Sequence, residues 1–172
     1  MSKTEEMSEA EMQQQIATDP EFVNAKRFGN SVARLEERYP DGCPTHIAWQ
    51  VGHLAMAEYG LCLYRQRGRE SIDRELMPGD FRKQFSRGSV PDPDPSKHLP
   101  PAEILATLDR VHAQVILESA SFTADQLKEP VDMPYAAEAT KLGCLYFCSH
   151  HEMIHAGQIG MVRRLLGKVP VR

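Results

Sequence analysis

Two histidines four residues apart, His151 and His155, have the types and spacing in this sequence that could do chemistry. On a helix they stand one turn apart on the same side. A helix from about Lys141 to Leu166, turned through about 100° per residue, places Cys144, Phe147, Cys148, Ile154, Gln158, Ile159, Val162 and Leu165 on the side of His151. The two imidazoles then lie in the middle of an apolar stripe. A buried imidazole needs a partner for each ring nitrogen. Two neutral imidazoles at this spacing converge on one point, and a divalent metal satisfies both. A second helix, from about Thr45 to Gln66, carries His53 on the same side as His46, Trp49, Gln50, Met56, Leu61 and Tyr64. His53 is a natural third ligand from that facing helix, although a single histidine on such a face is more often a satisfied core residue.

The other histidines read differently. His112 lies on the apolar face of a third helix that begins after Pro100-Pro101, and is a reserve ligand. His46, two turns before His53, reads as a cap or a substrate-side residue. His150, about 100° round from His151, is a flank, and His98 sits in a proline-rich loop as a solvated side chain. Cys144 and Cys148 share the ligand stripe and could join a Cys/His site, but free cysteines are first of all small core residues. His151-Glu152-Met153-Ile154-His155 spells H-E-x-x-H, the motif of zinc metalloproteases. Glu152 turns away from the apolar face, however. The extended motif's glycine and third histidine are replaced by Gln158 and Met161, and residues 156–172 contain no Asp, Glu or His. A third ligand must come from upstream.

Helices must position these residues. The chain has 172 residues, 41% of them hydrophobic, and a formal net charge of −4. That is enough for one domain with a real core, and it excludes a broadly basic nucleic-acid binder. No apolar run is long enough to span a bilayer. The first twenty residues are polar and acidic, unlike a secretory leader. The expectation is a cytoplasmic protein whose four cysteines are reduced thiols. Thr18-Asp19-Pro20-Glu21 starts a helix that carries Phe22, Val23, Phe28, Val32 and Leu35 and stops at Pro40-Asp41-Gly42. With the three helices above, this predicts an all-α four-helix bundle. Its long crossover, residues 67–100, holds a short helix around Ile72–Met77 and a loop past Arg82–Gly88. In that loop Arg82, Lys83 and Arg87 form a basic cluster around Phe81 and Phe85, read as solvated. Residues 1–19 are a polar segment or a short extra helix, and residues 20–172 are the domain. Gly52 and Gly60 would let a neighbouring helix approach closely.

Ile47-Ala48-Trp49-Gln50-Val51-Gly52-His53-Leu54, together with His151-Glu152-Met153-Ile154-His155-Ala156-Gly157-Gln158-Ile159, resembles the DinB-like (YfiT-like) superfamily. Met161-Val162-Arg163-Arg164-Leu165-Leu166-Gly167 is similar to its tail. The resemblance covers roughly residues 20–170. It implies a four-helix bundle in which three histidines, at the positions of His53, His151 and His155, hold nickel, zinc or iron. It also implies a thiol S-transferase type of activity with a low-molecular-weight thiol as small-molecule partner, and a homodimer. Tyr64 and Gln158 are then candidate pocket residues, with packing as their simpler reading. Metal-activated water would instead give a hydrolase. A metal held as a structural clasp would give a non-catalytic metal-binding or interaction protein. No nucleic-acid or membrane partner is expected.

Overall fold

The structure is a computed structural model that describes residues 43–92, 94–132 and 138–169. His46 starts the first helix by turning its ring back on the chain, where Nδ1 accepts the Trp49 backbone N–H at 3.2 Å. Of the two readings of His46, cap or substrate-side residue, this is the cap. Helix α1, Ile47–Glu58, continues through a π-helical stretch, Tyr59–Tyr64, into a last α turn, Arg65–Arg67. It stops at Gly68, whose φ of +84° suits a residue without a Cβ. Two short helices follow, α2 (Asp73–Leu76) and α3 (Gly79–Phe85), and then a 3₁₀ turn, Pro95–Lys97. Helix α4 (Pro101–Ser119) has a proline in its first turn, where the missing N–H costs nothing. The short α5 (Ala124–Leu127) has a capping box built from Thr123 and Gln126. Helix α6 (Lys141–Leu165) is capped by Thr140, whose side chain accepts the Gly143 N–H at 3.0 Å, and it ends before Gly167.

The protein is all-α: among the described residues there is no strand, only an isolated bridge between Pro130 and Thr140. None of the helices described is long and apolar enough to cross a membrane. Helix α1 is the central element and packs against α3, α4 and α6. The core joins Ile47, Val51 and Ala55 of α1 to Ile104, Leu108 and Val111 of α4, with Cys148, Ile159 and Val162 of α6. Polar clasps also hold α1. Glu58, 1% exposed, meets His112 Nδ1 of α4 at 2.7 Å. Arg67 reaches Asp73 at 2.8 Å and also binds Glu118 of α4. Helix α6 matches its expected span to within a residue, α4 begins at the proline pair as expected, and the span expected from Thr45 to Gln66 is filled by α1, the π-helical stretch and the last α turn. The helix expected over residues 20–40 and the segment 1–19 lie outside the described residues.

Two expectations need correction. The stretch read as a loop past Arg82 is helical through Phe85, and Phe81 and Phe85 are 1% and 0% exposed. They belong to the core rather than to a solvated cluster, because their i, i+4 spacing gives α3 an apolar edge against α1. The buried face of α6 is also not centred on His151. Leu145 and Ser149 are buried while Ile154 and Leu165 are more than half exposed. The buried face is thus turned by roughly 60° from His151, which leaves His151 half-buried at its edge.

Candidate metal centre

Helices α1 and α6 bring three imidazoles together. One ring nitrogen each from His53, His151 and His155 lies within 4.8 Å of the others. His155 Nε2 is 3.2 Å from His151 Nε2. Two nitrogens bound to one ion at about 2.0–2.1 Å in tetrahedral array would be roughly 3.3 Å apart. The ring centroids of His53 lie 5.3 Å from His151 and 5.2 Å from His155.

Two of the three rings are oriented by partners on their far side. His53 Nδ1 lies 3.0 Å from the Phe85 carbonyl oxygen. A carbonyl only accepts, so Nδ1 carries the proton and Nε2 keeps its lone pair. Phe85 reaches this position because Gly52 has no side chain: a Cβ there would come within 2.4 Å of the Phe85 ring. Trp49 stacks on the other face of His53, with centroids 5.0 Å apart and an interplanar angle of 6°. His155 Nδ1 lies 3.3 Å from Gln50 Oε1, which accepts its proton in the same way. Phe147 stacks along His151, whose Nδ1 is buried without a hydrogen bond among the described residues. Burial holds all three imidazoles neutral. It lowers His151 and His155 to about 4, reinforced by the neighbouring histidines. It lowers His53 as well, against the opposing Phe85 hydrogen bond. Neutral rings aimed at one point are the donor set a divalent cation needs, so these three residues could hold a metal ion.

The cluster opens on a pocket of about 560 Å³, within the usual range for small-molecule sites. His53 and His151 line it, and Met56, Leu61 and Phe147 give it apolar lining. Tyr64 lines the pocket. Gln158 is exposed and does not line it, although its side chain acts against the lowering of the His155 pKa. Among the described residues nothing lies within 4 Å of a Cβ built on Gly60, which lines the pocket.

The remaining candidates lie elsewhere. His112 is engaged with Glu58, outside the cluster. His98 is half-buried rather than solvated: its Nε2 meets the Asp92 carbonyl and its ring packs edge-on against His46 at 4.6 Å. His150 is exposed. Cys144 and Cys148 are buried core residues outside the histidine cluster, and burial helps raise both thiols. Glu152 lies towards Cys148 Sγ, 3.9 Å from it, and not in the pocket wall. Sequence reasoning missed Gln50 and Phe85 as orienting residues. Gln50 was on the right stripe, and its burial as an amide was the available signal.

Fold and site define an all-helical protein with a three-histidine cluster shared between two facing helices. The chain belongs to the DinB superfamily, whose family model matches residues 4–159. Comparisons with curated proteins and with solved structures give no match. Family membership and the cluster are together compatible with a metal-dependent function.

Proposed function

We propose that this protein is a metal-dependent thiol S-transferase, with nickel, zinc or iron held by His53, His151 and His155. The observation that carries the reading is the closeness of the three nitrogens, with two of the three histidines, His53 and His151, lining an open pocket. Among the described residues no fourth His, Cys, Asp or Glu joins them, which favours an open site over a structural clasp. A divalent ion there lowers the pKa of a bound thiol or water. The chain's own residues do the rest. Phe85 and Gln50 fix the tautomers of His53 and His155, and the apolar lining holds the electrophile beside the histidines. In the transfer, a sulfur lone pair forms the new S–C bond. The leaving group departs with the electrons of the bond that breaks, and the thiol proton goes to solvent. If water takes the place of the thiol, the same residues support hydrolysis.

The reading includes a cytoplasmic setting, where low-molecular-weight thiols are kept reduced, and a homodimer, as the family resemblance implies. It is tested by metal analysis of protein purified without a nickel column, then by a screen of several low-molecular-weight thiols against a generic aryl halide. Bound metal and metal-dependent turnover are expected. A His151→Ala variant that keeps its full metal content would sink the site. No metal-dependent turnover with any thiol would sink the transferase.

A further inference from the structure

The pocket that serves the histidine cluster is not uniformly apolar. Arg65 and Arg87 line it together with the histidines, and no Asp or Glu is among its described lining residues. The chain as a whole has more acidic than basic residues, 24 against 20, so two arginines in the wall of one pocket depart from the background. Arg65 is half-buried and has no ion-pair partner among the described residues. A guanidinium partly withdrawn from water with no anion beside it is costly unless a ligand supplies one.

The backbone directs Arg65 here. In an undistorted α-helix Arg65 would stand about 120° round from His53. The π-helical stretch Tyr59–Tyr64 lies between them. Its wider turns lower the rotation per residue, and Arg65 returns to the wall that His53 begins. Gly60, inside that stretch, has no described atom within 4 Å of where a Cβ would stand. Arg87 follows α3, the helix whose last residue, Phe85, holds His53. One side of the pocket thus orients a metal-side imidazole and also presents a cation.

We infer that the pocket takes a small molecule with an apolar body and an anionic oxygen head group, carboxylate or phosphate. The body lies against Met56, Leu61 and Phe147, and the head group meets Arg65 and Arg87. Guanidinium forks recognise such oxygens through paired N–H donors. The inference rests on the reading of this pocket as the substrate side of the histidine cluster, and it adds the substrate's class.

The test uses the full-length protein freed of metal, so that no ion can hold the head group. Octanoate, octyl phosphate, octanol and octylammonium are titrated by calorimetry. One or both anions should bind at least about tenfold more tightly than octylammonium, and the tighter anion identifies the head group. Arg65→Gln and Arg87→Gln should each remove most of that preference while octanol binding stays unchanged. Arg87 is exposed, so its variant keeps the test open if Arg65→Gln fails to fold. Gly60→Leu, which fills the pocket without touching an arginine, should weaken anions and octanol alike. Equal binding of octanoate, octyl phosphate and octylammonium overturns the inference, as does an anion preference that survives both arginine substitutions. Anion preference without thiol turnover leaves this inference standing and removes the transferase reading. Turnover without anion preference does the reverse.

Discussion

A neutral imidazole offers a metal one lone pair, and the partner of its other nitrogen decides which one. For His155 that partner is Gln50, buried beside it on α1. Gln50→Leu removes the acceptor and leaves the His155 Nδ1 proton without it. We expect metal affinity to fall by about 10- to 100-fold with the helical content unchanged. Competition against a chelator measures this, and Trp49 gives a second readout because it is the chain's single tryptophan and stacks on His53. An unchanged affinity would mean that something else sets the tautomer. The three histidines were legible from sequence because helical period alone puts His151 and His155 on one side and His53 on a facing stripe. Their orienting partners were not. A backbone carbonyl such as that of Phe85 leaves no trace in residue type, and Gln50 is one polar residue among several.

Helix α3 matters to the site through one contact. The Phe85 ring occupies the space a Cβ on Gly52 would need, 2.4 Å away, and the ring is fully buried. Gly52→Ala must therefore push α3 outward, at about 1–3 kcal/mol, and draw the Phe85 carbonyl away from His53. Urea unfolding should show the loss, and metal affinity should weaken with it. Gly60→Ala is the contrast, since its Cβ meets nothing within 4 Å among the described residues; it should leave stability unchanged or raise it by up to about 1 kcal/mol. If both alanines behave alike, the close approach of α3 is not what Gly52 provides. The long helices were legible because the apolar period marks all three and Pro100-Pro101 sets the start of one. Helix α3 was hidden by its shortness and its basic residues. The π stretch was hidden too, because a widened turn changes the register without changing the composition.

At the scale of the molecule, burial of neutral histidines makes stability depend on pH. His151, His155 and His46 are each lowered to about 4, and His53 is lowered too, against an ordinary value of 6.5. Between these values the unfolded chain binds more protons than the native one. Metal-free protein should therefore be fully stabilised above about pH 6.5 and lose stability as pH falls towards 4. Glu58, raised by burial, acts in the opposite direction, but it is one group against four. Chemical denaturation across that range should show the slope, and a flat profile would mean that the rings are not buried neutral.

The Arg67 clasp gives a stability effect that is separate from the site. Arg67 joins α1 to α2 through Asp73 and to α4 through Glu118, and Asp73 is 1% exposed. Its carboxyl is held below the usual range despite burial, by Arg67, the Glu70 N–H and the Tyr59 hydroxyl. Arg67→Met keeps much of the side-chain volume but strands that carboxylate in the interior, at about 3–5 kcal/mol. His53 is fourteen residues away, about 21 Å along the helix, so metal content should not change under conditions where the variant is folded. Urea unfolding and metal analysis of the same sample separate the two effects. Unchanged stability would show that the clasp contributes nothing. Metal lost from folded Arg67→Met would show that the clasp and the histidine cluster act as one unit.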